Sequence, residues 1–233
     1  MKIEVWSDYV CPFCYIGKRK LEQAFEQLSL KEKAEITYKS FELDPEAKKN
    51  TGMSINEKLA SKYGRSLQEA EEMTKNMTQQ AAEVGLNFQF DKMIPTNTFD
   101  AHRIAKLAEQ KGVEKELTEQ LFQAVFTYGI DIGDREELVK VASQSGLSEE
   151  SVLEILESGD YSQEVRSEES EAFEIGVQGV PFFVINRKYA ISGAQPTEVF
   201  IQSLQKVIEE EKSVSSFQSL TSERGASCTD ESC

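Results

Sequence analysis

Apolar and polar residues alternate from Met1 to Trp6, a period of two that predicts a strand over 3–7, with Asp8 to Val10 as the loop that follows. The period then changes. Leu21, Ala24, Phe25 and Leu28 fall at helical spacing, which predicts an amphipathic helix from about Pro12 to Leu28. Ile36, Tyr38 and Phe41 alternate again as a second strand, closed by Asp44-Pro45. This order is a β-α-β unit.

The following hundred residues are helical in pattern. Leu67, Ala70, Met73, Met77, Ala81 and Val84 keep three-to-four spacing up to Gly85. After Pro95, Thr96 and Asn97 are placed to cap a helix carrying Phe99, Ala101, Ile104 and Leu107. Leu117, Leu121, Ala124, Val125 and Tyr128 form a further stripe. Asp134 with Glu137 has the spacing of a capping box, and Ser148 that of an N-cap with Leu147 and Val152 as a hydrophobic staple. A helix near Val165 to Ile175 ends at Gly176. The β pattern then returns as a strand from Val180 to Ile185, a turn at Asn186-Arg187 and a short return strand through Tyr189 and Ile191. Pro196-Thr197 opens a last helix with Val199, Phe200, Leu204, Val207 and Ile208 on its inner face. From position 213 onward apolar residues thin out, which predicts a mobile tail. No internal repeat is present. The expected fold class is α/β. Two βα-type halves, 1–50 and 160–212, build one mixed sheet covered on both faces, with a helical lobe inserted over 51–159 and a tail over 213–233.

Composition narrows the class of partner. The chain has 233 residues and a net charge of −15, which argues against nucleic acid or an anionic membrane surface. No run of eighteen apolar residues occurs, and the first residues read as a strand rather than a secretory leader, so a cytoplasmic protein without a membrane partner is expected. Four cysteines in this length do not make a disulfide scaffold. They fall as two pairs, Cys11/Cys14 and Cys228/Cys233.

Cys11-Pro12-Phe13-Cys14 stands where the first strand gives way to the first helix. Helix N-termini carry partial positive charge and unpaired N–H groups, which favour a thiolate, and the thiolate is the nucleophile of disulfide exchange. Cys11 is expected as the exposed attacking thiol and Cys14, one turn further in, as the resolving thiol. A structural or metal-binding pair, or inert cysteines, are the alternatives. Val180-Pro181 carries two readings: a proline that starts a strand, or a cis peptide facing the thiols that leaves the Val180 backbone free to pair with an extended substrate. His102, the single histidine, is either a packed or capping residue or a substrate contact near the site. Cys228 and Cys233 are either incidental thiols of a frayed end or a second pair that exchanges with the first. Zinc held by all four cysteines needs a permanently docked tail, and no metal is expected.

With both motifs in view, the chain resembles the thioredoxin superfamily, and within it the DsbA-like group, whose fold carries an inserted all-helical domain. The opening Ile3-Glu4-Val5-Trp6-Ser7-Asp8-Tyr9-Val10-Cys11-Pro12-Phe13-Cys14-Tyr15-Ile16-Gly17-Lys18 is similar to that of the FrnE-like branch. So are Phe41-Glu42-Leu43-Asp44-Pro45, Asn97-Thr98-Phe99-Asp100-Ala101-His102-Arg103, Gly179-Val180-Pro181-Phe182-Phe183-Val184-Ile185 and Ser192-Gly193-Ala194-Gln195. The resemblance spans about residues 2–210. It implies a cytosolic thiol–disulfide oxidoreductase with Cys11 as nucleophile, Cys14 as resolver and Pro181 as a cis-proline; Pro12, Phe13, Val180 and His102 are the candidate substrate-binding residues beside these three. It also implies an accessory pair at Cys228 and Cys233. The strongly oxidising periplasmic members have histidine where this chain has Phe13. Phenylalanine gives a thiolate no polar support, so a less oxidising dithiol is expected, suited to reduction or isomerisation of disulfides.

The expected partners are protein or peptide thiols and disulfides, with no bound cofactor and with glutathione or a thioredoxin-type protein as reductant. Two other classes stay open. One is a non-catalytic adaptor in a stress response that holds extended peptides near Pro181. The other is a glutathione-dependent transferase or isomerase of small molecules, which the Asn97-to-Arg103 run also resembles. Those relatives usually have serine at the Cys11 position and lack the second thiol, so Cys14 stands against that reading.

Overall fold

The computed structural model describes residues 1–30, 34–49 and 51–215. Four strands form one mixed sheet in the order β2-β1-β3-β4. β1 (Lys2–Ser7) pairs in parallel with β2 (Glu35–Ser40), and a parallel neighbour requires a crossover, supplied here by α1 (Pro12–Leu28). β3 (Phe182–Ile185) runs antiparallel to β1, with Val5 opposite Phe183, and β4 (Tyr189–Ser192) returns antiparallel to β3. The period-two pattern decides the two faces. Ile3, Val5, Phe183 and Ile185 pack with Leu21 and Phe25 of α1 and with Phe200 and Leu204 of α9 (Thr197–Ser215). Trp6 and Val184 point the other way, toward Ala172 of α8 (Ser162–Glu174), and the Trp6 indole donates to the Glu168 carbonyl at 3.0 Å.

Between β2 and α8 run α2 (Ile55–Tyr63), α3 (Leu67–Glu83), α4 (Phe99–Lys111), α5 (Glu114–Gln123), α6 (Arg135–Gln144) and α7 (Glu149–Glu157). They share an apolar core that also takes in Tyr9, Cys11, Cys14 and Tyr15, so the helical segment and the C-x-x-C are packed as one body.

β2 lies at the edge of the sheet, where an unpaired strand is a liability. Its outward N–H groups are met by carboxylates of the helices. Tyr38 N donates to Glu114 at 3.1 Å and Ser40 N to Glu168 at 2.8 Å, and just past the strand Glu42 N donates to Glu169 at 3.1 Å. Lys106 of α4 donates to the Tyr38 carbonyl at 3.1 Å and to Glu168 at 2.7 Å. Side chains thus stand where a fifth strand would, and they fasten the helical segment to the sheet.

Burial pushes the Glu114 carboxyl up to about 8, against the pull of the Lys106 charge. A carboxyl raised in the folded state favours folding fully below its unfolded value, and that contribution is lost as pH rises through about 8. Glu114→Gln keeps an acceptor for Tyr38. It should therefore stabilise the protein by about 1–2 kcal/mol at alkaline pH and change little at acidic pH, read as urea midpoints at both.

Several local expectations change. α2 has one buried residue, Ile55, too few to create a stripe; its signal is the Ser54/Glu57 capping box and the left-handed Gly64 that ends it. The Asp134 carboxylate accepts from the Glu136 and Glu137 amides, but Glu137 pairs with Lys140, so the box is half formed. The cap of α4 comes from Asn97, which accepts from Phe99 N at 3.0 Å, whereas the buried Thr96 hydroxyl has no partner. The stripe from Leu117 does not continue as one α-helix. Ala124–Tyr128 form a π-helical turn, which rotates the register and leaves Tyr128 exposed. β2 ends at Ser40, before Phe41; α8 begins at Ser162, ahead of Val165; and β3 begins at Phe182, after Val180-Pro181.

Candidate active site

β1 ends at Ser7, and Asp8-Tyr9-Val10 turn the chain into α1. Cys11 is the N-cap in an extended conformation and Pro12 takes the first helical turn, where a missing N–H costs nothing. Cys11 N donates to the Asp8 carbonyl and Cys14 N to the Cys11 carbonyl, both at 3.0 Å, which fixes the two thiols one turn apart. The first turn of α1 holds no acidic residue to oppose a thiolate. Both cysteines are free thiols.

The expected exposure of Cys11 is corrected: the residue is 4% exposed. Residues 179–181 fold over it, and its thiol donates to the Val180 carbonyl at 3.6 Å. Access runs through a cavity of about 310 Å³ that Cys11 lines. Phe13, Val180, Leu59, Met73 and Met77 are among its walls, and Lys58 and Lys62 of α2 also border it. The sheet-side loops thus supply the thiol, and the helical segment supplies much of the apolar roof.

Cys14 is sealed behind Cys11. Burial, then the hydrogen bond and charge of Cys11, push its thiol well above the ordinary value, while the Ser7 hydroxyl and the Asp8 main chain pull the other way. The outer cysteine therefore meets solvent through the cavity, and burial disfavours ionisation of the inner one.

The Val180–Pro181 peptide is cis, and Pro181 is buried. Its ring stands against Gly17 of α1: a Cβ at Gly17 would lie 3.0 Å from Pro181 and 3.1 Å from the Phe183 ring. Gly17→Val should cost about 1–3 kcal/mol by overpacking, read as a lowered urea midpoint with unchanged m-value, whereas an unaltered midpoint contradicts the close approach.

Phe13 is exposed beside the thiols, and Pro12 is partly buried. His102 does not line the cavity. It is buried on α4, its ring lies 4.9 Å from that of Tyr9, and its Nε2 stands 3.6 Å from Asp8 Oδ1. Cys228 and Cys233 lie outside the described residues. Among the described residues, no three His, Cys, Asp or Glu side chains converge as metal ligands. Asp8, Ser7 and the methionines of α3 were not singled out from sequence as parts of the site. Asp8 had a local signal, a carboxylate three residues before Cys11, but the methionines read simply as a helix face.

A family described as DSBA-like thioredoxin domain matches residues 2–205. A Streptomyces coelicolor structure described as a probable DsbA oxidoreductase is 35% identical, with TM-score 0.86 over 100% of this chain and 98% of that one. Two more distant structures share the fold. The first, a 2-hydroxychromene-2-carboxylate isomerase, is 16% identical with TM-score 0.65, covering 93% of this chain and 100% of its own. The second, the cytosolic disulfide reductase DsbM of Pseudomonas aeruginosa, is 13% identical with TM-score 0.63, covering 90% and 100%.

Proposed function

Because the chain belongs to the DSBA-like thioredoxin domain family, we propose that it reduces or isomerises disulfides of proteins and peptides through Cys11 and Cys14. The observation that carries this reading is the pairing of one thiol lining a cavity with a second sealed directly behind it. In the first step the Cys11 thiolate attacks one sulfur of a substrate disulfide. The Cys11–substrate disulfide forms, and the other substrate sulfur leaves as a thiolate and takes up a proton. Cys14 then gives up its proton and attacks the Cys11 sulfur, closing the Cys11–Cys14 disulfide and releasing the second substrate thiol. A thiol reductant, glutathione or a thioredoxin-type protein, returns the pair to the dithiol. In isomerisation the released substrate thiol attacks elsewhere in the same substrate, and no net electrons are consumed.

Phe13 offers no polar support to a thiolate, which favours reduction over one-way oxidation. The Val180 backbone is the segment for an extended substrate to pair with, and Pro12 and Phe13 form the surface around it. The proposed location is the cytoplasm, within a FrnE-like branch; among the described residues no helix is long and apolar enough to cross a membrane. DsbM has also been solved with GSH, which supports glutathione as reductant here.

The rival is a glutathione-dependent isomerase or transferase of small molecules, for which a buried second thiol has no use. Insulin reduction under glutathione separates the two. The expected result is a rate well above that of glutathione alone; no acceleration, with turnover of a small electrophile instead, contradicts the proposal.

A further inference from the structure

Asp8 and His102 take no part in the exchange steps, yet both are enclosed, 1% and 2% exposed, Asp8 in the turn that leads into Cys11 and His102 against that turn. A buried carboxylate is costly unless hydrogen-bonded and paired with a cation. Asp8 accepts from Leu43 N at 2.8 Å and from Val10 N at 3.5 Å, which supplies hydrogen bonds but no charge. The other buried cations of α4 are committed elsewhere. Arg103 bonds Asp100 and the carbonyls of Ile155, Ser158 and Asp160, and Lys106 bonds Glu109, Glu168 and the Tyr38 carbonyl. His102 remains. Its Nε2, without a hydrogen-bond partner, stands 3.6 Å from Asp8 Oδ1.

Asp8 also touches both halves of the dithiol through its main chain. Its carbonyl accepts from Cys11 N at 3.0 Å, and its main chain draws the Cys14 thiol down against the effect of burial. The Asp8 carboxylate thus belongs to the residue that holds the N-cap cysteine. We propose that Asp8 and His102 are a positioning pair for the dithiol, in which a protonated His102 offsets the Asp8 carboxylate and so sets how readily the neighbouring sulfurs carry negative charge. This rests on the reading that Cys11 and Cys14 exchange disulfides.

The groups that face His102 are consistent with that division of labour. Asp8 and Tyr9 come from the turn before α1. Glu42, which follows β2, feels the His102 charge but is bonded by Arg166 of α8 and by the Asn97 amide. Glu42 thus has its own cation, and Asp8 has the imidazole. With the ring neutral, a thiolate adds a second negative charge to the one on Asp8 in a low-dielectric site; with the ring protonated it does not. Stabilising the thiolate favours the reduced dithiol and makes the pair a stronger oxidant.

Equilibration with glutathione buffers tests the pair. Asp8→Asn should shift the equilibrium about tenfold toward the reduced dithiol, ~30 mV for two electrons. His102→Gln should shift it about threefold or more the opposite way, and the double variant should return to within about twofold of the parent. Loss of packing alone would move both single variants in one direction. Shifts of the same sign, or none above about twofold, overturn the proposal. If Asp8→Asn does not fold, His102→Gln alone decides: a shift toward the disulfide is expected, and a shift toward the dithiol, or none above about twofold, overturns the proposal. A parent that never equilibrates with glutathione overturns the disulfide-exchange reading and this inference together. A parent that equilibrates while the variants stay put overturns this inference alone.

Discussion

Cys11→Ser is expected to abolish disulfide reduction, lowering turnover by about 10³-fold or more, because a serine hydroxyl at neutral pH is a far weaker nucleophile than a thiolate. Cys14→Ala should fail differently. Cys11 still opens the substrate disulfide, but no second thiol releases it, so the Cys11–substrate disulfide accumulates. Intact mass spectrometry would show a gain equal to the bound thiol, removed by dithiothreitol. The asymmetry follows from placement: Cys11 lines the cavity, while Cys14 is sealed and its ionisation is disfavoured by burial. If Cys14→Ala turns over as fast as the parent, the inner thiol is not the resolver. If Cys11→Ser retains turnover, the cavity is not the site of exchange.

Lys106→Met should produce the largest loss of stability outside the active site, about 3 kcal/mol, because it removes the more deeply buried of the two cations that hold the Glu168 carboxylate and leaves it to Lys39 at 3.2 Å. Burial opposes ionisation of Glu168, but the charge and hydrogen bond of Lys106 hold its carboxyl below the usual range. A carboxyl depressed in the folded state adds stability above its unfolded value and loses it as pH falls through the folded value. The cost of Lys106→Met is therefore full near neutrality and shrinks in acid, and urea midpoints across that range measure it. Because Lys106, Glu114 and Glu168 fasten the helices to the β2 edge, the same variant should loosen the roof over Cys11 and raise KM more than it lowers kcat. A uniform cost at all pH values would mean that the contact acts through packing alone.

The parts of this molecule that announce themselves in sequence are those with a period or a local motif. Alternation at Ile3 and Val5, the stripe on α1 and the run after Pro181 carry the sheet and its covering helices, because burial on one face forces regular spacing. The C-x-x-C at the strand-to-helix junction carries the proposed chemistry. Long-range polar pairing leaves no such trace. Nothing local to Lys106, Glu114 or Glu168 says that they meet the edge of β2, and α2 buries too little to show as a stripe. The enclosure of Cys11 was equally hidden, since it depends on residues 179–181 arriving from the far end of the chain. His102 was noticed as the single histidine, but its relation to Asp8 exists only once α4 is docked behind the first turn.

The reduction potential of the Cys11/Cys14 pair, measured by equilibration in glutathione buffers, tests the central claim most directly. The account predicts one reversible two-electron transition, lost in Cys11→Ser, with a potential well below about −120 mV, the value of a strongly oxidising dithiol. A transition at about −120 mV, or no exchange with glutathione at any ratio, would contradict it.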